Sequence, residues 1–309
     1  MYTARRIAPK APRCNPDSIH GSEFMNGRTV FILGAGFSHA AGLPLMDGLR
    51  HEALAELRAN GHGALTDQNE KCSLEELLVR LRQSTEQSAT SAGRRLLDTC
   101  LGLLWKKHMT MDDLPEPYLR FARSASESLG IVSLNWDLVC ELALYAADVK
   151  WGYSTGSGAQ IIKPHGSINW TNHSVVPKQK WKGGNGFVQV DANHSISYRP
   201  SDPFQDPLFG CSDDGFEYVT FPGLLHDNPQ AVDRLWADAR RRIDEASTVV
   251  FVGYSLPCYD TRARAEFHAT CSGKSIAVID PCEQVLKTYQ DVFGSSISAH
   301  LSKFEDCSL

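Results

Sequence analysis

Five short apolar runs, each stopped by glycine or a polar turn, constrain this chain more than any other feature. They are TVFILGAG at 29–36, GIVSLNWD at 130–137, QIIKPHGSINW at 160–170, TVVFVGYSL at 248–256 and SIAVIDP at 275–281. In TVFILGAG the apolar residues run continuously rather than alternating, which is the pattern of a strand buried on both faces, and the other four carry strand signals of the same kind. Helical patterns lie between them: LVCELALYAA, NPQAVDRLWADARRRIDEAS, DTRARAEFHAT and CEQVLKTYQDVF. Strands alternating with helices predict an α/β fold, a Rossmann-like doubly wound parallel sheet with its ligand loops at the carboxyl ends of the strands.

The spacing between the first two strands is too wide for a minimal crossover. MDGLRHEALAELRAN, SLEELLVRLRQ, AGRRLLDTCLGLLWKKHM and EPYLRFARSASESL all read as helices, so a helical insertion is expected over about 45–128. Ser73 with Glu76 three residues on is a capping-box signature for one of them. Residues 171–226 lose helical character and gain glycine and proline, which predicts a small loop-rich lobe of short antiparallel strands. Residues 1–24 lack apolar periodicity and read as a flexible tail, leaving 25–309 as the folded unit.

A net charge of −5 gives no basis for broad electrostatic binding of nucleic acid. Nine cysteines are present, but no two stand closer than Cys271 and Cys282, so no CxxC knuckle exists. No zinc or other metal site is expected, and scattered thiols fit a reducing, cytoplasmic setting. No apolar run reaches the eighteen or so residues that would cross a bilayer, so no membrane partner is expected.

The loops at the strand ends carry the polar chemistry: Gly34-Ala35-Gly36-Phe37-Ser38, Asn135-Trp136-Asp137, His165-Gly166-Ser167, Gly253-Tyr254-Ser255 and Asp280-Pro281. The first glycine turn allows close backbone approach, the next helix offers its N-terminus to phosphate, and Ser38 is placed to donate a further hydrogen bond. The usual dinucleotide fingerprint puts a third glycine where His39 stands, and here glycine falls instead at Gly42, followed by Pro44. Taken singly, each loop has a plain structural reading. A GxG after a strand is often only a tight turn, and a lone His165 is more often structural. Asn135 and Asp137 suit the cap of the helix that follows, as does Asp260 before DTRARAEFHAT. Trp105, Trp151 and Trp236 read as packing residues.

GAGFSHAAGLP, SLNWD, KPHGS, VVFVGYSLPCYD and IAVIDP, in that order, resemble the sirtuin superfamily, closest to the bacterial sirtuin-like NAD hydrolases of antiphage defence. The resemblance implies that NAD is held as a substrate to be cut. Asn135 and His165 then match the catalytic pair, with Asp137 beside them. Gly34, Ala35, Gly36, Ser38 and Pro44 match the first nucleotide motif, and Gly253, Ser255 and Asp280 match the second ribose and adenine side. Departures are also plain. The deacylases' zinc module is missing, Leu45-Met46-Asp47-Gly48 replaces their DFR run, and Leu134 stands where they carry glutamine. The implied activity is NAD+ glycohydrolysis to nicotinamide and ADP-ribose. A deacylase or ADP-ribosyltransferase, and a non-catalytic nucleotide-binding regulatory subunit, stay open as alternatives. The expected partners are NAD+ and either further copies of the chain or a separately encoded regulator.

Overall fold

The computed structural model describes residues 28–61, 72–111, 114–153, 158–168, 170–171, 188–190, 196–198, 229–294 and 297–307. Its centre is a seven-stranded sheet. In chain order the strands are β1 (Thr29–Leu33), β2 (Gly130–Ser133), β3 (Trp151–Gly152), β4 (Ala159–Ile162), β8 (Thr248–Val252), β9 (Ser275–Ile279) and β10 (Ser298–His300). In space they run β10-β9-β8-β1-β2-β4-β3, and every neighbouring pair is parallel. The expected doubly wound parallel sheet is therefore what forms. β1 is buried at all five positions and β2 and β4 at all four, which requires cover on both faces. The continuous apolar runs supply it on both sides of the pleat.

The helices follow the sequence pattern with shifted ends. They are α1 (Ala35–His39), α2 (Met46–Ala59), α3 (Leu74–Arg82), α4 (Gln87–Met109), α5 (Glu116–Ala125), α6 (Val139–Ala146), α7 (Pro229–Glu245), α8 (Thr261–Thr270) and α9 (Glu283–Phe293). Ser73 and Glu76 form the expected capping box, each side chain bonded to the other's backbone N–H at 3.1 Å. Aromatic edges tie helices to the sheet: Phe31 of β1 meets Phe121 of α5 at 5.2 Å, and Phe251 of β8 meets Phe267 of α8 at 5.4 Å.

A second apolar cluster lies in the inserted helices. Leu49, Ala53, Leu57, Leu74, Leu77, Leu78, Leu97, Cys100 and Leu101 of α2, α3 and α4 pack together with Trp136, Leu138 and Ile168. Those last three sit just beyond β2 and β4, so the helical layer rests on the carboxyl edge of the sheet. α5 departs from this group: its Tyr118, Phe121, Ala122 and Ala125 belong to the main core.

Three short strands, β5 (Trp170–Thr171), β6 (Val188–Val190) and β7 (Ile196–Tyr198), form a separate sheet. β6 and β7 are antiparallel as expected, but β5 and β6 are parallel. The rest of the expected lobe, and the tail at 1–24, lie outside the described residues. β3 and β10 were not expected from the sequence, being two and three residues long with no apolar run. The seven cysteines among the described residues are all free thiols.

Candidate functional site

Strand order reverses direction at β1, which has β8 on one side and β2 on the other. Loops leaving such a switch point diverge and leave a crevice. Here it is a cleft of about 600 Å³. Gly34, Ala35, Gly36 and Pro44 line it from the first turn, and Asn135 and Asp137 from beyond β2. His165 enters from beyond β4, Gly253 and Ser255 from beyond β8, and Asp280 from beyond β9. All the candidate residues but Ser38 thus reach one cavity. The helical layer adds Met46, Asp47, Leu49, Glu75 and Leu104 to its wall.

The glycines have a structural duty of their own. The Gly36 N–H donates to the Gly253 carbonyl at 2.8 Å. A Cβ on Gly36 would lie 2.7 Å from the Gly253 Cα, and one on Gly253 would lie 2.4 Å from the Gly36 carbonyl carbon. Gly253 also needs a φ of +60. The two loops interlock through bare backbone, which only glycine permits. Gly42 differs: its φ is +88 and nothing lies within 4 Å of a Cβ there. It is glycine for its turn, and the exposed His39 four residues before Leu43 places Nδ1 3.1 Å from that residue's carbonyl. Glycine is needed at 42 rather than 39 because the reversal comes after α1.

Asn135 and Asp137 do different work. The Asn135 side-chain amide donates to the Gly34 carbonyl at 2.8 Å and to Ser38 Oγ at 3.1 Å, and caps nothing. Ser38 in turn donates to Asp137 Oδ1 at 2.9 Å. Ser38 is 1% exposed, so its hydroxyl is engaged inside this network rather than presented to the cleft. Asp137 Oδ1 also accepts from the Val139 N–H at 3.0 Å, but the N-cap of α6 is Leu138 and carries no side-chain bond, so Asp137 stands one residue before the cap rather than at it. Burial pushes the Asp137 carboxyl above the usual range, against the pull of Lys163 and these hydrogen bonds.

His165 has a partner that the sequence reading overlooked. Its Nε2 lies 3.4 Å from Asp260 Oδ2, and its ring meets the edge of the buried Trp236 at 6.1 Å. Asp260 caps α8 as expected, accepting from the Ala263 N–H at 3.1 Å. It also accepts from the Tyr254 hydroxyl at 2.7 Å. Tyr259 and Glu75 were overlooked as well: the Tyr259 hydroxyl donates to Glu75 Oε1 at 2.8 Å, joining α3 to the loop after β8. Burial raises the Glu75 carboxyl, and it raises Asp280, whose Oδ1 accepts from the Cys282 N–H at 2.9 Å. Asp260 and Tyr259 end VVFVGYSLPCYD, so that segment held the signal.

No protein-family model and no curated protein sequence matches the chain. Solved structures similar to it include a Sir2 homologue in complex with NAD, at TM-score 0.45 and 17% identity, covering 90% of this chain and 85% of that one. A point mutant of a Sir2 homologue with ADP-ribose is similar at TM-score 0.47 and 17% identity, covering 90% and 87%. A Sir2 enzyme is similar at TM-score 0.46 and 14% identity, covering 92% of each chain. No helix among the described residues is long and apolar enough to cross a membrane, and no cluster of three or more metal-ligating side chains occurs among them.

Proposed function

We propose that this cleft binds NAD+ and hydrolyses its nicotinamide–ribose bond, as a sirtuin-like NAD+ glycohydrolase. The observation that carries the reading is the placement of His165, backed by Asp260, in one cavity with Asn135 and the interlocked glycine turns. The ordered sequence motifs support the same reading. A cavity near 600 Å³ is of the size that small-molecule ligands fill.

In this reading the pyrophosphate lies against the loop from Gly34 to Gly36, whose Gly34 and Gly36 N–H groups are spent on the Val252 and Gly253 carbonyls, and Asp280 accepts from a hydroxyl of the adenosine ribose. The C–N bond to nicotinamide breaks with its electron pair leaving on nicotinamide, which neutralises the pyridinium charge. Water attacks the anomeric carbon and gives its proton to His165, whose ring Asp260 orients. Asn135 holds the attacking water or the ribose, and the Asp137 carboxylate faces the positive charge that develops on the sugar.

An unregulated enzyme of this kind would empty its own cell of NAD+. Its activity is therefore switched, by self-assembly or by a separately encoded partner, and the resemblance of its ordered motifs to the bacterial sirtuin-like NAD hydrolases supports a setting in antiphage defence by NAD+ depletion in the cytoplasm. The test is incubation of the purified protein with NAD+ while nicotinamide and ADP-ribose are followed by chromatography. Equal release of both supports hydrolysis. Nicotinamide release with ADP-ribose held on protein, or strictly tied to an acylated acceptor, would replace it with transfer or deacylation. NAD+ recovered bound and intact, with and without self-assembly, would leave a nucleotide-binding regulatory subunit.

A further inference from the structure

Two residues before His165, Lys163 is wholly buried, with 0% of its side chain exposed. A lysine with no access to water is costly unless its charge and all its protons are engaged. Its ammonium donates to Glu141 Oε1 of α6 at 2.9 Å and to the backbone carbonyl of Asp137 at 2.5 Å. The Tyr153 hydroxyl donates to the same Glu141 oxygen at 2.7 Å. Glu141 is itself 1% exposed. None of the three lines the cleft.

The position of this group explains it better than its stability does. Lys163 leaves β4 on the loop that carries His165, and Asp137 leaves β2 on the loop that carries Asn135. β2 and β4 are neighbours in the sheet, so one ammonium spans the two strand-end loops that hold the candidate catalytic side chains. Other ties fix the same segment. The Ile168 N–H donates to the Trp136 carbonyl at 3.0 Å, and the Leu138 N–H donates to Nε2 of the buried His108 on α4 at 3.0 Å. A buried ion pair is poor as a source of stability and better suited to fixing one arrangement among several.

We infer that Lys163 is a positioning residue, which through its bond to the Asp137 carbonyl sets the placement of His165 against Asn135. The inference rests on the NAD+ hydrolase reading and deepens it. Lys163 touches no substrate. Its removal therefore disturbs the chemical step more than it disturbs binding, since a shift of about 1 Å between reacting groups costs on the order of 10²-fold in rate.

The test compares the full-length wild type with Lys163→Met/Glu141→Gln, which deletes both charges and keeps an acceptor for Tyr153, and with Glu141→Gln alone. Each is measured for NAD+ hydrolysis, NAD+ affinity and thermal melting. The imidazole resonances of His165 and of the exposed His268 on α8 are followed in each by NMR. The double variant is expected to fold and to bind NAD+ near the wild-type affinity, with kcat lowered about 10²-fold and KM little changed. Its His165 resonances move while those of His268 stay. Glu141→Gln, which keeps the bond to the Asp137 carbonyl, melts earlier but holds kcat near wild type. A double variant that does not fold, or one that hydrolyses NAD+ at the wild-type rate with His165 unmoved, overturns the inference. Wild-type protein that releases no nicotinamide defeats the hydrolase reading instead, and the His165 resonances then still decide the role of Lys163.

Discussion

Asp260 serves His165 and helix α8 with the same carboxylate: Oδ2 lies 3.4 Å from the imidazole Nε2 while Oδ1 accepts the Ala263 N–H at 3.1 Å. The two duties separate chemically. In Asp260→Asn the remaining oxygen still caps α8, since asparagine is a good N-cap. The amide nitrogen then faces Nε2 and drives the imidazole proton to Nδ1. We expect kcat to fall about 10²–10⁴-fold, the range of a lost general base, with a stability loss of about 1–3 kcal/mol because the buried Tyr254 hydroxyl loses its Oδ2 acceptor. Asp260→Ala should lose the cap too, at about 1 kcal/mol more. Asp260→Asn turning over NAD+ like wild type would leave the pair without a catalytic role.

Gly36 and Gly42 should both lose stability on change to alanine but differ in what happens to NAD+ affinity. At Gly36 the new Cβ meets backbone of Gly253 at 2.7 Å, and backbone cannot step aside as a flexible side chain does. Gly36→Ala should therefore lower melting temperature and NAD+ affinity together, by prising the loop after β1 from the loop after β8. At Gly42 there is room, and only the positive φ opposes a side chain. Gly42→Ala should cost about 1–2 kcal/mol of stability and leave NAD+ affinity alone. Denaturant melts paired with binding isotherms decide both. Equal affinity losses at the two positions would contradict the interlock.

Asp280 is held above the usual carboxylate range by burial, although the Cys282 N–H favours its charged form. A carboxyl whose pKa is higher folded than unfolded binds more protons in the native state between the two values. Its contribution to stability is thus fully present below the unfolded value near ~4 and is lost as pH rises through the folded one. Asp280→Asn keeps an acceptor for Cys282 and carries no charge. The variant should be more stable than wild type at pH 7, with the difference shrinking as pH falls toward ~4. The same change should weaken NAD+ binding if Asp280 takes a ribose hydroxyl. Urea unfolding across that pH range is the check, and a pH-independent difference would refute it.

The strands β1, β2, β4, β8 and β9 were legible because each must be apolar on both faces, and no other local structure explains such runs between helices. β10 was not: Ser298 and Ala299 are exposed and only His300 is half-buried, an edge held by pairing with β9 rather than by its own residues. The cleft was legible to the extent that glycine and polar turns follow the strands. What the helical layer brings to it was not. Glu75 meets Tyr259 across 184 residues of sequence, and only the packing of α2, α3 and α4 on Trp136 and Ile168 sets that meeting. Ser38 was misleading in a different way, and Lys163 carried no signal of its role. Residues of their kind are mostly exposed, so a hydroxyl or ammonium spent wholly inside the protein is invisible until its partners are placed.

Asn135 and His165 end neighbouring strands and share the cleft, but their losses should not look alike. His165→Ala removes a ring whose contacts are Asp260 and the edge of Trp236, leaving the Asp260 carboxylate still bonded to Tyr254 and Ala263. Turnover should fall about 10²–10⁴-fold with the fold intact. Asn135→Ala removes the amide that ties the Gly34 carbonyl to Ser38, and Asn135 is only 8% exposed. The Gly34 carbonyl keeps the Phe37 N–H at 2.9 Å, so the stability cost should sit near the low end of the ~1–3 kcal/mol expected for a stranded buried partner. Asn135→Ala should therefore lose activity and some stability together, and Asn135→Asp should recover neither, since a carboxylate repels the Gly34 carbonyl. Turnover, NAD+ affinity and thermal melting for the three variants form the measurement. If His165→Ala hydrolyses NAD+ like wild type, or loses activity only by melting, His165 is a structural histidine and the catalytic assignment falls with it.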